Sequence, residues 1–155
     1  MGRSDILSIL ESCELFNRLE RNDIEKVAGL CQERDYEARE YLFRQGDFGE
    51  YLYIIAEGHI VLERAIALGA KEGSVSIGIL GNGRVAGCWS VLLGEPHHHM
   101  SSAICKKSTH VLVMRGSELR RMMLSNLHFG FSVLERLCIS LRERIQGAYG
   151  AMEKI

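Results

Sequence analysis

Two runs of strand-forming residues flank a glycine in the stretch YLYIIAEGHIVL, residues 51–62. Val, Ile and Tyr favour extended chain because their side chains pack well on a pleated surface. Comparable runs occur at residues 75–80 (VSIGIL) and 110–114 (HVLVM), with glycines spaced between them. No long helical pattern separates these runs, which argues against parallel βαβ units. Residues 32–115 are therefore predicted to form an antiparallel β-roll of the jelly-roll, or double-stranded β-helix, type.

Helical periodicity appears on both sides of this predicted roll. Apolar residues at Ile6, Leu7 and Leu10, and later at Ile24 and Val27, predict two short helices within residues 1–31. Asn22 followed by Glu25 has the spacing of a capping box, which predicts the start of the second helix. Ser117 is the predicted N-cap of the helical part, residues 116–155. The expected fold class is mainly β, with N-terminal helices and a long C-terminal helix.

The C-terminal helix carries a regular apolar seam. Its members are Leu134, Cys138, Leu141, Ile145, Ala148, Met152 and Ile155. Spacings of four and three in alternation are typical of helices that pack along their length, so the seam predicts a homodimer. The alternative is that this face packs on the chain's own roll. Gly147 and Gly150 are expected to weaken the distal turns.

Composition excludes several classes of protein. The chain has 155 residues, 46% hydrophobic and 25% charged, which is typical of a globular domain rather than a disordered segment. Lys and Arg number 19 against 20 Asp and Glu, so no broad positive field favours nucleic acid. No apolar run is long enough to span a bilayer, and neither a signal peptide nor a Cys-x-x-Cys pair is present. We expect a cytoplasmic protein that binds neither nucleic acid nor a membrane.

Three motifs in order carry a resemblance to a known family. They are LFNRL at residues 15–19, YLFRQGD at 41–47 with LYIIAEG at 52–58, and LGNGRVAG at 80–87. Together they resemble the cyclic-nucleotide-binding domain of catabolite-activator/FNR-like regulators and of protein-kinase regulatory subunits. The resemblance spans essentially the whole chain. It implies a jelly-roll regulatory protein for signal transduction that carries out no chemistry of its own.

The glycines of these motifs have physical roles. Gly46, Gly58 and Gly83 are predicted to adopt positive φ at the corners of the roll. The resemblance implies that Gly87 lets the backbone approach a cyclic phosphate at the N-terminus of a short helix, here about residues 88–93. Free N–H groups at such a helix end attract an anion.

The sequence departs from the family at the two residues that contact nucleotide. Cys88 stands where the family usually has a glutamate that accepts from the ribose 2′-hydroxyl. His99, or alternatively His98, stands where the family has an arginine that neutralises the phosphate. Each charge-assisted hydrogen bond contributes about 1.5–3 kcal/mol, so losing both weakens binding by roughly a hundredfold or more. Only weak binding of cAMP or cGMP is expected.

The resemblance implies that the motif at residues 80–87 opens the family's phosphate-binding cassette, and a candidate ligand site follows from this cassette and the segment after it. Its predicted members are Gly87, Cys88, Trp89, Ser90, His98, His99, Ser101 and Ser102. For Cys88 and Trp89 plain packing is the alternative interpretation. The run His97-His98-His99 is interpreted as a solvated loop beside Pro96 rather than a metal site. Alternating side chains let at most two of these imidazoles share one ion.

The sequence leaves three functions open. The first is a module that senses a small anionic or nucleotide-like effector and signals through its C-terminal helix. The second is a non-binding interaction or dimerisation module that has kept the roll. A third reading is the effector domain of a transcription regulator without its DNA-binding part, since no recognition helix follows the long helix. An enzyme is not predicted, because no nucleophile motif, HExxH or P-loop occurs.

Overall fold

The chain folds, in a computed structural model that describes residues 2–95 and 97–154, as two antiparallel sheets with helices around them. The strands are β1 (Gln32–Tyr36), β2 (Tyr41–Phe43), β3 (Tyr51–Glu57), β4 (Ile60–Leu68), β5 (Lys71–Leu80), β6 (Val85–Ala86), β7 (Ser102–Cys105) and β8 (Thr109–Arg115). The helices are α1 (Arg3–Glu11), α2 (Arg21–Ala28), α3 (Trp89–Leu92), α4 (Gly116–Ser125) and α5 (Leu127–Met152). The predicted mainly β class with flanking helices is confirmed.

The two sheets have four strands each. One has the order β1-β8-β3-β6 and the other β2-β7-β4-β5, and every strand pairing is antiparallel. The long β4–β5 hairpin pairs from Ile60 opposite Leu80 to Leu68 opposite Lys71, with one shift of register between Leu62 and Glu63. These pairings confirm the predicted β-roll, in which no helix connects parallel strands.

Alternation along β3 divides the core into two parts. Leu52 and Ile54 pack with the N-terminal helices, α4 and α5, whereas Tyr53 and Ile55 point into the roll. Successive side chains of a strand lie on opposite faces, and all four are buried here. The central strand thus holds the helical layer and the roll interior together.

The predicted helix starts differ from the structure. Helix α2 has Glu20 rather than Asn22 at its N-cap, and α4 begins after Arg115 rather than at Ser117. Neither of these two N-caps makes a side-chain capping bond. The C-terminal region forms two helices, and α5 has Asn126 as a true cap, whose side-chain oxygen accepts from Phe129 N at 3.2 Å. None of the described helices is long and apolar enough to cross a membrane.

The prediction of positive φ is confirmed for two of the three corner glycines. Gly46 and Gly83 have positive φ, but Gly58 does not. A Cβ on Gly58 would lie 2.5 Å from the Thr109 side chain, so space rather than backbone conformation demands glycine there.

Helix α5 packs one stripe against the rest of the molecule and exposes the next. Val133, Leu137 and Ser140 are fully buried. The predicted seam lies beside this stripe: Leu134 is 39% and Ile145 52% exposed. Leu141, another member of the seam, is half-buried and packs against the core, so the predicted seam faces partly outwards and partly inwards. Ile155, its last predicted member, lies outside the described residues.

Candidate functional site

A pocket of about 240 Å³ lies between the roll and α5. The roll contributes the turn after β6 and the segment before β7, and α5 forms the opposite wall. The lining residues are Phe43, Leu62, Ile77, Ala86, Gly87, Cys88, Trp89, His99, Met100, Ser101, Leu141, Arg144 and Ile145. Five predicted site residues, Gly87, Cys88, Trp89, His99 and Ser101, are brought together here.

Gly87 directs the chain from β6 into α3. Its φ is +85°, and a Cβ there would lie 2.3 Å from the carbonyl oxygen of Tyr51. Both facts require glycine, because a side chain would be strained and would collide with backbone. The backbone that Gly87 approaches closely is that of β3, and this contact alone explains why the position requires glycine. The helix that follows is shorter than predicted, Trp89–Leu92.

Cys88 is a buried, neutral thiol. The residue forms no disulfide and is 5% exposed. Burial raises the pKa of its thiol to about 11. A thiol is a weak hydrogen-bonding group and carries no charge at neutral pH. Cys88 therefore cannot reproduce the role that a carboxylate has towards a sugar hydroxyl.

His99 is held in place by backbone bonds and by stacking. Its N–H donates to Asp47 O at 2.8 Å and its carbonyl accepts from Gly46 N at 2.9 Å. The ring lies parallel to that of Phe43, with centroids 3.7 Å apart. Burial lowers the pKa of His99 to about 4, so the imidazole is neutral at pH 7. It does not supply the positive charge of an arginine.

The cation of the pocket is Arg144, which sequence reasoning missed. Its Nη2 donates to the Val85 carbonyl oxygen, and the guanidinium lies beside Cys88. Burial lowers the pKa of Arg144. The available signal was its place in the inward stripe Val133, Leu137, Ser140, Arg144, where a charged residue interrupts an otherwise uncharged helix face.

The other predicted residues do not line the pocket. Ser90 Oγ donates to Gly87 O at 2.6 Å, and Ser102 Oγ accepts from Gln45 N at 2.9 Å. His98 faces away, with Nδ1 2.7 Å from Gly46 O. These three side chains bind local backbone and stabilise the loops around the site.

The three histidines do not form a cluster. The His97 and His99 rings are 5.8 Å apart, whereas His98 packs near Phe48 at 4.4 Å between ring centroids. Within residues 2–95 and 97–154 no group of three or more His, Cys, Asp or Glu is arranged to hold a metal ion.

A larger groove of about 750 Å³ lies beside α3 and α4. It is lined by Phe48, Arg115, Arg121 and Leu124 among others, and Ser90 is its sole predicted member. The smaller pocket is the stronger candidate because the cassette and α5 meet there.

Comparisons with known proteins point to one family. The family model described as "Cyclic nucleotide-binding domain" matches residues 33–126. The Cyclic AMP receptor protein of Thermus thermophilus is 29% identical over 105 residues, covering 68% of this chain and 46% of that protein. The Cyclic nucleotide-gated channel alpha-4 of Mus musculus is 31% identical over 86 residues, covering 56% of this chain and 14% of that protein. The chain thus spans less than half the length of either relative.

Solved structures agree on the fold. A cyclic nucleotide-binding domain from Methylobacillus flagellatus superposes with a TM-score of 0.78 at 21% identity, covering 99% of this chain and 84% of that one. The regulatory domain of Toxoplasma gondii PKA with cAMP superposes with a TM-score of 0.59 at 25% identity, covering 74% of this chain and 42% of that one. Since the family model covers more than half of the chain and the β-roll is that of these structures, this chain belongs to the cyclic nucleotide-binding domain family.

Proposed function

We propose that this chain is a regulatory module that senses a small, anionic or nucleotide-like effector and signals through α5. The observation that carries the proposal is the composition of the pocket. Gly87 and Trp89 line one side from the cassette, and Leu141, Arg144 and Ile145 line the other from α5. A molecule bound there would contact both parts, so binding would change the packing of the helix.

The exposed stripe of α5 supports a homodimer as the receiver of that signal. Its large apolar members are Leu127, Phe131, Leu134, Ile145, Tyr149 and Met152, each between 39% and 72% exposed. A continuous apolar stripe along a helix marks an interaction surface. The heptad spacing between Phe131, Leu134, Ile145 and Met152 fits a second copy of the same helix.

Cytoplasmic location is part of this proposal. All five cysteines are free thiols, of which Cys13, Cys88 and Cys105 are buried. A reducing compartment keeps such thiols unpaired.

A second candidate function is a non-binding interaction module. The observation that favours it is the neutral state of both Cys88 and His99, which removes the two polar contacts that the family resemblance implies. In that function the pocket is a packing defect that binds no ligand, and the exposed stripe of α5 binds the partner.

Thermal unfolding in the presence of small molecules separates the two functions. The probes are cAMP, cGMP, AMP, GMP and a panel of small organic anions, each tested at millimolar concentration. A ligand at a hundred times its dissociation constant stabilises by about 2.7 kcal/mol, which is a shift of several degrees for a domain of this size. Stabilisation by any probe supports sensing. No shift with the whole panel contradicts sensing and supports the interaction module.

A further inference from the structure

Arg144 brings a positive charge into the pocket without a direct counter-ion. Its observed partner is the neutral Val85 carbonyl. Among the described residues, no carboxylate oxygen lies within 4.0 Å of its guanidinium nitrogens. Glu14 and Glu143 act on it from further away, and each of these carboxylates already accepts from Arg84.

The guanidinium has unused hydrogen-bonding capacity. An arginine offers five N–H donors in a planar fork, and among the described residues the hydrogen bond of Arg144 is the one to Val85. Removing a charge from water without pairing it is costly, and an anion that accepts two parallel bonds would offset that cost. The fork therefore fits a carboxylate or another small oxyanion.

The rest of the pocket fits an apolar body. Eight of its thirteen lining residues are apolar: Phe43, Leu62, Ile77, Ala86, Trp89, Met100, Leu141 and Ile145. Neither Cys88 nor His99 is charged at neutral pH, because burial raises the pKa of the former and lowers that of the latter. The volume of about 240 Å³ is below the roughly 300–1,000 Å³ usual for drug-sized ligands. One charge and a compact apolar body are what these walls accommodate.

We propose that the pocket binds a compact organic monocarboxylate with an aliphatic or aromatic body, and that Arg144 pairs with its carboxylate. This inference rests on the proposed sensing function and names the chemical class of the effector. It assigns the effector's charge to a residue of α5 instead of one in the roll.

Such a ligand would act on the helix directly. The carboxylate would accept from donors of Arg144 that Val85 does not use, so one guanidinium would join the ligand to the edge strand β6. Ile145, the next residue, both lines the pocket and is 52% exposed on the outer stripe. A ligand held by Arg144 therefore contacts the roll and the proposed dimer surface at once.

Calorimetry with defined probes tests the proposal. The sodium salts of butyrate, hexanoate, benzoate and phenylacetate are titrated into the full chain at constant ionic strength. Butyramide, hexanamide, benzamide and phenylacetamide are the neutral counterparts, and cAMP is the nucleotide probe. We expect at least one carboxylate to bind while its amide binds at least tenfold more weakly.

Substitutions of Arg144 make the test specific. Arg144→Met is expected to weaken carboxylate binding about ten- to a hundredfold, and Arg144→Lys to weaken it less because the charge is kept. Arg142→Met, at an exposed position of the same helix, is the matched control and should bind as wild type does. Unfolding curves of each variant check that it is folded.

Three results would overturn the inference. If cAMP or the neutral amides bind and no carboxylate does, sensing stands and the ligand class is wrong. If a carboxylate binds equally well to wild type, Arg144→Met and Arg144→Lys, the assignment of the charge is wrong. If no molecule in this set or in the thermal panel binds wild type, the sensing function itself fails, and the inference fails with it.

Discussion

At the scale of single residues, Gly87 shows how a backbone requirement shapes the pocket. Its positive φ and the carbonyl oxygen of Tyr51, which a Cβ on Gly87 would meet at 2.3 Å, exclude any side chain. The packing of Gly87 against β3 therefore fixes the position of the cassette without a contribution from a ligand. The same residue positions Cys88 and Trp89 at the pocket wall.

We expect Gly87→Ala to destabilise the fold by at least about 2 kcal/mol, because a non-glycine residue in the left-handed region is strained and the new Cβ meets backbone. Urea unfolding measures the change. Gly81→Ala is the control, since no atom lies within 4 Å of its added Cβ. Equal stability of the two variants would contradict this account of Gly87.

Restoring both family residues tests the placement of the nucleotide contacts. Cys88→Glu with His99→Arg should create or strengthen binding of cAMP or cGMP by about a hundredfold, because two charge-assisted hydrogen bonds become available. Isothermal titration calorimetry on the folded double variant measures it. The single variants should each gain less. No nucleotide heat from the folded double variant would show that these positions do not face the nucleotide.

At the scale of elements, α5 performs two tasks on adjacent stripes. Its inner stripe, with Val133 and Leu137 fully buried, joins the core, and its outer stripe presents Phe131 and Met152 to solvent at 65% exposure each. Because these stripes are neighbours on one helix, a small rotation of α5 would alter both surfaces.

Phe131→Glu is expected to weaken the proposed dimer by about a hundredfold or more, because each protomer loses the burial of one phenyl ring. Sedimentation equilibrium measures the dissociation constant. Phe48→Glu is the matched control, because Phe48 is 68% exposed but lies outside α5. A monomeric wild type, or equal dimerisation of both variants, would exclude this stripe as the interface.

The elements also show what sequence patterns can reveal. Strands β3, β4, β5 and β8 were predictable because Val, Ile and Leu dominate much of their length. Strand β1 reads Gln32-Glu33-Arg34-Asp35-Tyr36, without alternating apolar residues, and forms because it pairs with β8. Strand β6 has two residues and depends on its pairing with β3. Such strands are products of tertiary pairing, which a local pattern does not contain.

The site divides in the same way. Gly87, Cys88 and Trp89 were identifiable because they are consecutive and follow a motif. Arg144 has no motif around it, and reaches the pocket because α5 crosses the roll next to β6. His98 and His99 are neighbours with opposite environments, a difference that depends on the bonds of Gly46 and Asp47 to this segment.

At the scale of the whole molecule, the free energy of unfolding should depend on pH through the protonation of His99. Its pKa in the folded chain is about 4, below the unfolded value of 6.5, so above pH 6.5 both states are neutral and His99 adds no pH dependence. Below pH 6.5 the unfolded chain takes up a proton that the folded chain does not, and stability falls as the pH approaches 4.

We expect the free energy of unfolding to fall by up to about 3 kcal/mol between pH 6.5 and 4 from this residue, at about 1.4 kcal/mol per pKa unit. Urea titrations across this range measure it. His99→Gln should flatten the profile, whereas His128→Gln, at an exposed position of α5, should leave it as in wild type. An unchanged profile in His99→Gln would contradict the buried neutral state of His99.

The contact between α5 and β5 limits how the molecule can move. A Cβ on Gly147 would lie 2.0 Å from the Ile77 carbonyl oxygen, so helix and strand already touch through their backbones. This contact is a steric stop: no inward displacement of the helix is available at that level. A molecule entering the pocket would therefore move α5 outwards, slide it along its own axis or rotate it about this contact, and could not push it further into the roll there.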